Sequence, residues 1–255
     1  MNIGVLVTRP IHQSSHFNEL LNQAGARVIS CPSIGIEPVA GTKALMSKLQ
    51  QLSHYHILIF ISANAVNYAL KLLAPEQIKP STIAAIGQST QDALRAHGVQ
   101  TSLQPESGFT SEHLLELEAL QQSAINGKKI LIFRGEGGRE LLAQSLTNRG
   151  AQVDYAEVYR RTIPGTDIRP ILDKWIKGEV DLVTVTSNQG LENLYHMLGT
   201  QGLDYLNRTP LIVPGKRCDS FARSKGHTET IIIASSALDK DMFQAVLEWH
   251  SLNNR

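Results

Sequence analysis

The chain says the same thing twice. "VLVTRP" followed by "GARV" returns as "ILIFRG" followed by "GAQV", so that Arg9 and Arg134 lie 125 residues apart, and Gly25 and Gly150 do the same. The same shift lays "FISANAV" on "VTSNQGL" and pairs Ser62 with Ser187. Further on, "AIGQSTQDALRAHG" faces "IVPGKRCDSFARSKG" with Gly98 and Gly226 separated by 128, so about three residues are inserted in the second half. A half-length repeat requires two like halves built on one plan.

Each half alternates short β-branched runs with stretches of helical period: "GVLVT", "RVIS", "ILIFIS", "TIAAIG", "KILIF", "QVDYAEVY", "DLVTVTS", "PLIVPG" and "ETIIIAS". Strands that are apolar throughout, with helices between them, bury both faces, and this predicts an α/β fold of parallel sheets. Two Pro-containing extended segments break the rhythm, residues 31–41 and 156–167, roughly 125 apart. They read as a pair of connecting strands, crossed by the chain on its way between two lobes.

The plan in each half is a strand followed by a helix, four times. The corners carry Arg9; Ser62 with Ala63 and Asn64; Gln88, Ser89 and Thr90; and Thr110 with Ser111. In the second half they carry Arg134; Ser187 with Asn188 and Gln189; Lys216 with Arg217; and Ser235 with Ser236. Unpaired amides and the helix dipole at such corners favour anions, and small hydroxyl residues suit carboxylates. Ser62, Ser187 and Thr110 also have the residue types of plain helix N-caps. Recurrence at eight corners makes capping alone a less attractive account.

The corner "RGEGGRE" looks like a phosphate-cradling turn, yet the third glycine of a G-x-G-x-x-G fingerprint would fall at Glu140, and no Lys-Ser/Thr pair supplies a P-loop. Gly135, Gly137 and Gly138 first read as a tight strand-to-helix corner. Arg134 and Arg139 can meet carboxylates, or Arg139 can pair with Glu136 or Glu140 on the helix surface.

Composition narrows the classes. With 24 basic and 23 acidic residues the formal charge is +1, so no whole-molecule field draws the chain to nucleic acid or membrane. Cys31 and Cys218 stand alone, which fits buried inert thiols in a reducing compartment and gives no zinc spacing. His54 and His56 lack a third ligand nearby and read as surface residues, and no metal or cofactor is expected. His113 starts a helix and could favour anions when protonated. The N-terminus runs straight into a strand and no apolar run reaches the roughly 18 residues of a membrane span, so a soluble cytoplasmic protein is expected, monomeric by default.

Taken together, "VLVTRP", "FISANAV", "AAIGQSTQDAL", "ILIFRGEGGRELLAQSLTNRGAQVDYAEVYRR" and "VTSNQGLENL" resemble the uroporphyrinogen-III synthase family across nearly the whole chain. The resemblance implies two flavodoxin-like domains joined by a two-stranded β linker. The first comprises residues 1–34 with 165–255 and the second residues 40–157. It further implies a cleft that takes hydroxymethylbilane, a linear tetrapyrrole of tetrapyrrole and heme biosynthesis. A hydro-lyase would expel its hydroxyl as water and close the ring with the last pyrrole inverted, using few indispensable side chains. The eight corners would meet its carboxylates, and "AEVYRR" places Tyr159 where the family has its candidate acid. Tyr159 also suits a strand residue packed at the hinge. Where relatives carry a Thr pair, "VPGKRC" offers Lys216 and Arg217 as electrostatic substitutes. The alternative is a non-catalytic two-lobed binding protein for a small polyanion.

Overall fold

The computed structural model describes residues 1–78, 81–108, 110–138 and 140–253. Among the described residues there are ten strands: β1 (Gly4–Val7), β2 (Arg27–Ser30), β3 (Gly35–Pro38), β4 (Ile57–Phe60), β5 (Thr82–Ala85), β6 (Lys129–Gly135), β7 (Gln152–Thr162), β8 (Leu182–Thr184), β9 (Leu211–Val213) and β10 (Ile231–Ile233). They form two sheets, ordered β10-β9-β8-β1-β2 and β3-β7-β6-β4-β5. The chain divides into two compact units, Met1–Gly35 with the chain from Thr162 onward, and Ile36–Arg161. It passes from one to the other at β3 and at the end of β7.

In the first unit all four strand pairings are parallel. Numbered along the chain within that unit, the strands lie in the order 2-1-3-4-5, the flavodoxin-like doubly wound arrangement. The second unit has the same layout under the repeat. Its β7, β6, β4 and β5 stand where β2, β1, β8 and β9 stand in the first, so each half of the chain gives its first two strands to one sheet and its later strands to the other.

The register repeats as well. Gly4 pairs with Arg27 and Val5 with Leu182; 125 residues along, Lys129 pairs with Gln152 and Ile130 with Ile57. Alternation along the buried strands divides each core into two layers. Leu58, Phe60, Leu131 and Phe133 point to one face of the second sheet, and Ile57, Ile59, Ile130 and Ile132 to the other. Phe60 and Phe133 stack with ring centroids 4.5 Å apart. Gly25 and Gly150, the repeated glycines, have φ of 81° and 86° just past helix ends, where a side chain would be strained.

One expectation is corrected. The segment ahead of Thr110 was expected to be a strand, but among the described residues it makes only a single parallel bridge, Leu103 with Ala84. Where the second half has "TIIIAS", the first has "TSLQPES"; polar residues and Pro105, which lacks an amide donor, cannot sustain a buried ladder. The extended segments 31–41 and 156–167 do meet: β3 neighbours β7 in the sheet, and Val39 N–H donates to Val158 O at 3.2 Å.

Candidate active site

In each open sheet, ligands are expected beyond the carboxyl ends of the strands where the winding reverses. In the second unit that point lies between β6 and β4. There the structure has a cavity of about 460 Å³, lined among others by Thr110, Ser111, Arg134, Gly135, Tyr155 and Tyr159. Gly137, Gly138 and Arg161 also reach it.

Ser62 lies two residues past the end of β4 and caps the helix Ala63–Ala69, its Oγ accepting the Ala65 N–H at 3.1 Å. The same Oγ lies 3.3 Å from the Tyr159 hydroxyl. Capping and contact with the candidate acid are therefore held by one atom. Tyr159 itself is 3 % exposed, its ring 6.0 Å from that of Tyr68. Ala63 and Asn64 open the capped helix and Asn64 is buried.

Arg134 is the last but one residue of β6 and is 2 % exposed. Its Nε donates to Gly135 O at 3.1 Å, its guanidinium carbon sits 4.4 Å from the centre of the Tyr155 ring, and Nη1 is 3.5 Å from Glu140 Oε1. Glu157 Oε1 lies 4.0 Å from Nε and accepts the Gly137 N–H at 3.4 Å. The guanidinium expected to face a substrate carboxylate thus braces the turn against the protein's own carboxylates. Gly138, at φ 106°, admits it closely: a Cβ there would meet Nη2 at 2.8 Å. Tyr155 donates to Glu140 Oε2 at 3.1 Å, and burial, followed by that bond, pushes its pKa above the ordinary phenol value. Arg139 lies outside the described residues.

The remaining corners of this unit are helix starts. Thr110 Oγ1 accepts the His113 N–H at 3.4 Å and contacts His113 Nδ1 at 2.8 Å, with Ser111 opening the helix. Gln88 and Ser89 are exposed on the first turn of Gln88–Ala96 and Thr90 is buried. Gln88 Nε2 donates to Gln91 and Asp92.

In the first unit Arg9 follows β1 as Arg134 lies on β6. Its guanidinium pairs with Asp239 at 2.7 Å, donates to Ala237 O at 2.7 Å and lies over the Phe17 ring. Burial draws its pKa below the ordinary value, with Asp239 opposing. Ser187 caps the helix Asn188–Asn207 by accepting the Gly190 N–H at 3.0 Å, and Gln189 Nε2 donates to Asn193. Lys216 and Arg217 are exposed at the start of Lys216–Ser224, whose cap, Gly215, contributes no side-chain bond. Ser236 Oγ bonds the Asp241 carboxylate and accepts the Leu238 N–H, so this corner is internally satisfied.

Sequence reasoning brought Thr110, Ser111, Arg134, Gly135, Gly137, Gly138 and Tyr159 to one cavity, with Ser62 against Tyr159. It missed Tyr155, Glu157 and Arg161. Alternation along β7 puts Tyr155 and Glu157 on one face, but the register shift between Glu157 and Tyr159 breaks that pattern, so strand periodicity alone could not have grouped Tyr155, Glu157 and Arg161 with Tyr159. Cys31 and Cys218 are buried, and desolvation pushes both thiols up to about 11. Among the described residues no group of three or more His, Cys, Asp or Glu could hold a metal ion, and no helix is long and apolar enough to cross a membrane.

The profile of a family described as uroporphyrinogen-III synthase HemD matches residues 15–244. A uroporphyrinogen-III synthase of Proteus mirabilis is 37% identical over 182 residues, 70% of this chain and 90% of that protein. One from Escherichia coli K12 is 32% identical over 248 residues, 96% of this chain and 100% of that protein. Among solved structures, uroporphyrinogen-III synthetase from Helicobacter pylori 26695 superimposes with a TM-score of 0.63 at 15% identity, covering 98% of this chain and 100% of that one. A mutant uroporphyrinogen III synthase from Thermus thermophilus gives 0.58 at 16% identity, covering both chains in full. At these identities the structural likeness bears on fold alone.

Proposed function

As this chain belongs to the uroporphyrinogen-III synthase family, we propose that it cyclises hydroxymethylbilane to uroporphyrinogen III, a lyase reaction in which water is lost and the terminal pyrrole is inverted. The pyrrole nitrogen next to the hydroxymethyl group pushes electrons toward the carbon. The C–O bond breaks and the departing hydroxyl takes a proton, leaving an azafulvenium cation and water. Attack by the substituted α-carbon of the terminal ring gives a spiro intermediate; the bond from that carbon to its original methylene bridge then breaks, leaving a second azafulvenium cation. The freed methylene is attacked by the unsubstituted α-carbon of the same ring, on the other side of its nitrogen, which loses its proton. The proton released on closure restores the acid. The pyrrole supplies the electronic push, so the chemistry asks for no cofactor, and the larger task is to hold the chain in a shape that opposes direct end-to-end closure.

The observation that supports a proton donor is the position of Tyr159, which lines the cavity at the switch point with its hydroxyl beside Ser62 Oγ. A phenol supplied there protonates the leaving hydroxyl. We assign carboxylate recognition to the hydroxyl- and amide-bearing corners: Ser62 to Asn64, Gln88 to Thr90, Thr110 to Ser111 and the "RGEGGRE" turn in one unit, and Ser187 to Gln189 with Lys216 and Arg217 in the other. Helix starts of this kind favour anions, and spreading eight carboxylates over many such contacts makes single losses modest. In the same reading the enzyme is a cytoplasmic monomer that draws its substrate from the reaction producing the linear tetrapyrrole.

The test is to supply enzymatically generated hydroxymethylbilane, oxidise the products and separate the porphyrin isomers. Type III porphyrin is the expected product; type I alone, the isomer of uncontrolled closure, refutes the assignment and leaves a polyanion-binding protein. Tyr159→Phe is expected to lower turnover about 10²-fold with folding intact.

A further inference from the structure

We infer that Gly135 is a positioning residue for the Tyr159 phenol, an inference that rests on the reading of that phenol as proton donor. A Cβ built at residue 135 would lie 2.6 Å from Cε2, 2.7 Å from Cζ and 3.1 Å from the hydroxyl oxygen of Tyr159. The aromatic ring therefore rests directly on the α-carbon of Gly135, in space that a side chain of any other residue would fill.

The contact comes from strand geometry. Arg134 pairs with Glu157, but the next residue of β6, Gly135, pairs with Tyr159; the register slips by one residue, and β7 is bulged at this point. The slip carries Tyr159 opposite the glycine and leaves Glu136 N–H donating to Tyr159 O at 2.8 Å. Gly135 is not among the glycines with positive φ, so alanine fits its backbone and the requirement is purely one of space.

On its other sides the ring meets Tyr68, and its hydroxyl meets Ser62 Oγ. Ser62 Oγ accepts the Ala65 N–H and still carries its own hydrogen, which it can give to the phenol oxygen and so leave the phenol proton for the reacting hydroxyl; either oxygen of this pair can be the donor. Gly135 sets the height of the ring over the strand, and Ser62 holds its hydroxyl. A methyl group at 135 lifts the ring by about 1 Å to reach ordinary contact, a displacement large enough to cost on the order of 10²-fold in rate.

The test compares wild type, Gly135→Ala, Tyr159→Phe and the double variant, measuring kcat and KM for type III product alongside thermal unfolding. Gly135→Ala is expected to lower kcat by about as much as Tyr159→Phe, on the order of 10²-fold, with KM changed far less. The double variant, which has no hydroxyl left to misplace, is expected to lose little more than Tyr159→Phe alone. Wild-type kcat in a folded Gly135→Ala protein overturns the inference, and so does a loss that multiplies with that of Tyr159→Phe. Full turnover by Tyr159→Phe overturns the acid role and this inference together, whereas either earlier result leaves the acid role standing. If Gly135→Ala does not fold, Gly135→Ala combined with Tyr159→Leu, whose side chain clears the added methyl, must restore folding; persistent unfolding refutes the contact as the cause.

Discussion

His227 makes the stability of the first unit depend on pH. It follows the helix Lys216–Ser224, is 3 % exposed, and neither ring nitrogen has a hydrogen-bond partner among the described residues. Burial holds its pKa below the ordinary value and Arg223 pushes the same way. Glu229, Asp219 and the Thr230 backbone, which lies outside hydrogen-bonding geometry, pull the other way. A folded-state pKa below the unfolded one, near 6.5, means that the unfolded chain takes up the proton first. Stability is thus complete above pH 6.5 and is lost as the pH falls toward the folded-state value, at up to about 1.4 kcal/mol per pH unit. The urea midpoint of the wild-type protein should therefore fall as the pH is lowered below 6.5. The protein has two tryptophans, Trp175 and Trp249, both buried in the first unit, so their emission during urea unfolding reports the unit that holds His227. His227→Leu removes the titrating group and, since the ring nitrogens are unpartnered, should stay within about 1.5 kcal/mol of wild type at pH 7.5. The difference in slope between the two proteins isolates His227 from the other histidines. Equal slopes would refute a buried neutral imidazole.

Two further predictions concern the second unit. Ser62→Ala removes a helix cap and the partner of Tyr159, so it should cost about 1 kcal/mol of stability and lower kcat several-fold; Ser62→Thr, which keeps the hydroxyl, should recover most of both in thermal unfolding and turnover assays. For Arg134→Met the carboxylate partners are half-exposed, so their ion pairs contribute little, and the loss of about 1–2 kcal/mol comes mainly from the Tyr155 stack and the bond to Gly135 O; a fall in stability with KM raised more than kcat is reduced supports a brace for the turn, and unchanged unfolding would contradict it.

Much of this fold is legible before any coordinates. Arg9 and Arg134, or Gly25 and Gly150, announce the repeat because equivalent backbone positions demand equivalent residues: an αL glycine past a helix, an apolar run in a strand covered on both faces. The same local logic explains the missing strand before Thr110, since polar residues and Pro105 were visible in "TSLQPES". The corners were legible as helix starts, but not which of their groups are already spent. Arg134 looked available for a ligand; Glu140 and Glu157 reach it only through the turn and the pairing of β6 with β7.

Periodicity and turn chemistry act over a few residues, and they were enough to read an α/β chain of mostly parallel strands, built as two like halves with polar corners at the helix starts. Tertiary structure alone decided that Tyr159 rests on Gly135 and that Arg134 faces the protein's own carboxylates. The first contact joins residues brought together by a one-residue slip in register, the second follows from the turn after β6 and the pairing of Arg134 with Glu157, and the pairing of neighbouring strands is set by packing, not by any local pattern in the chain.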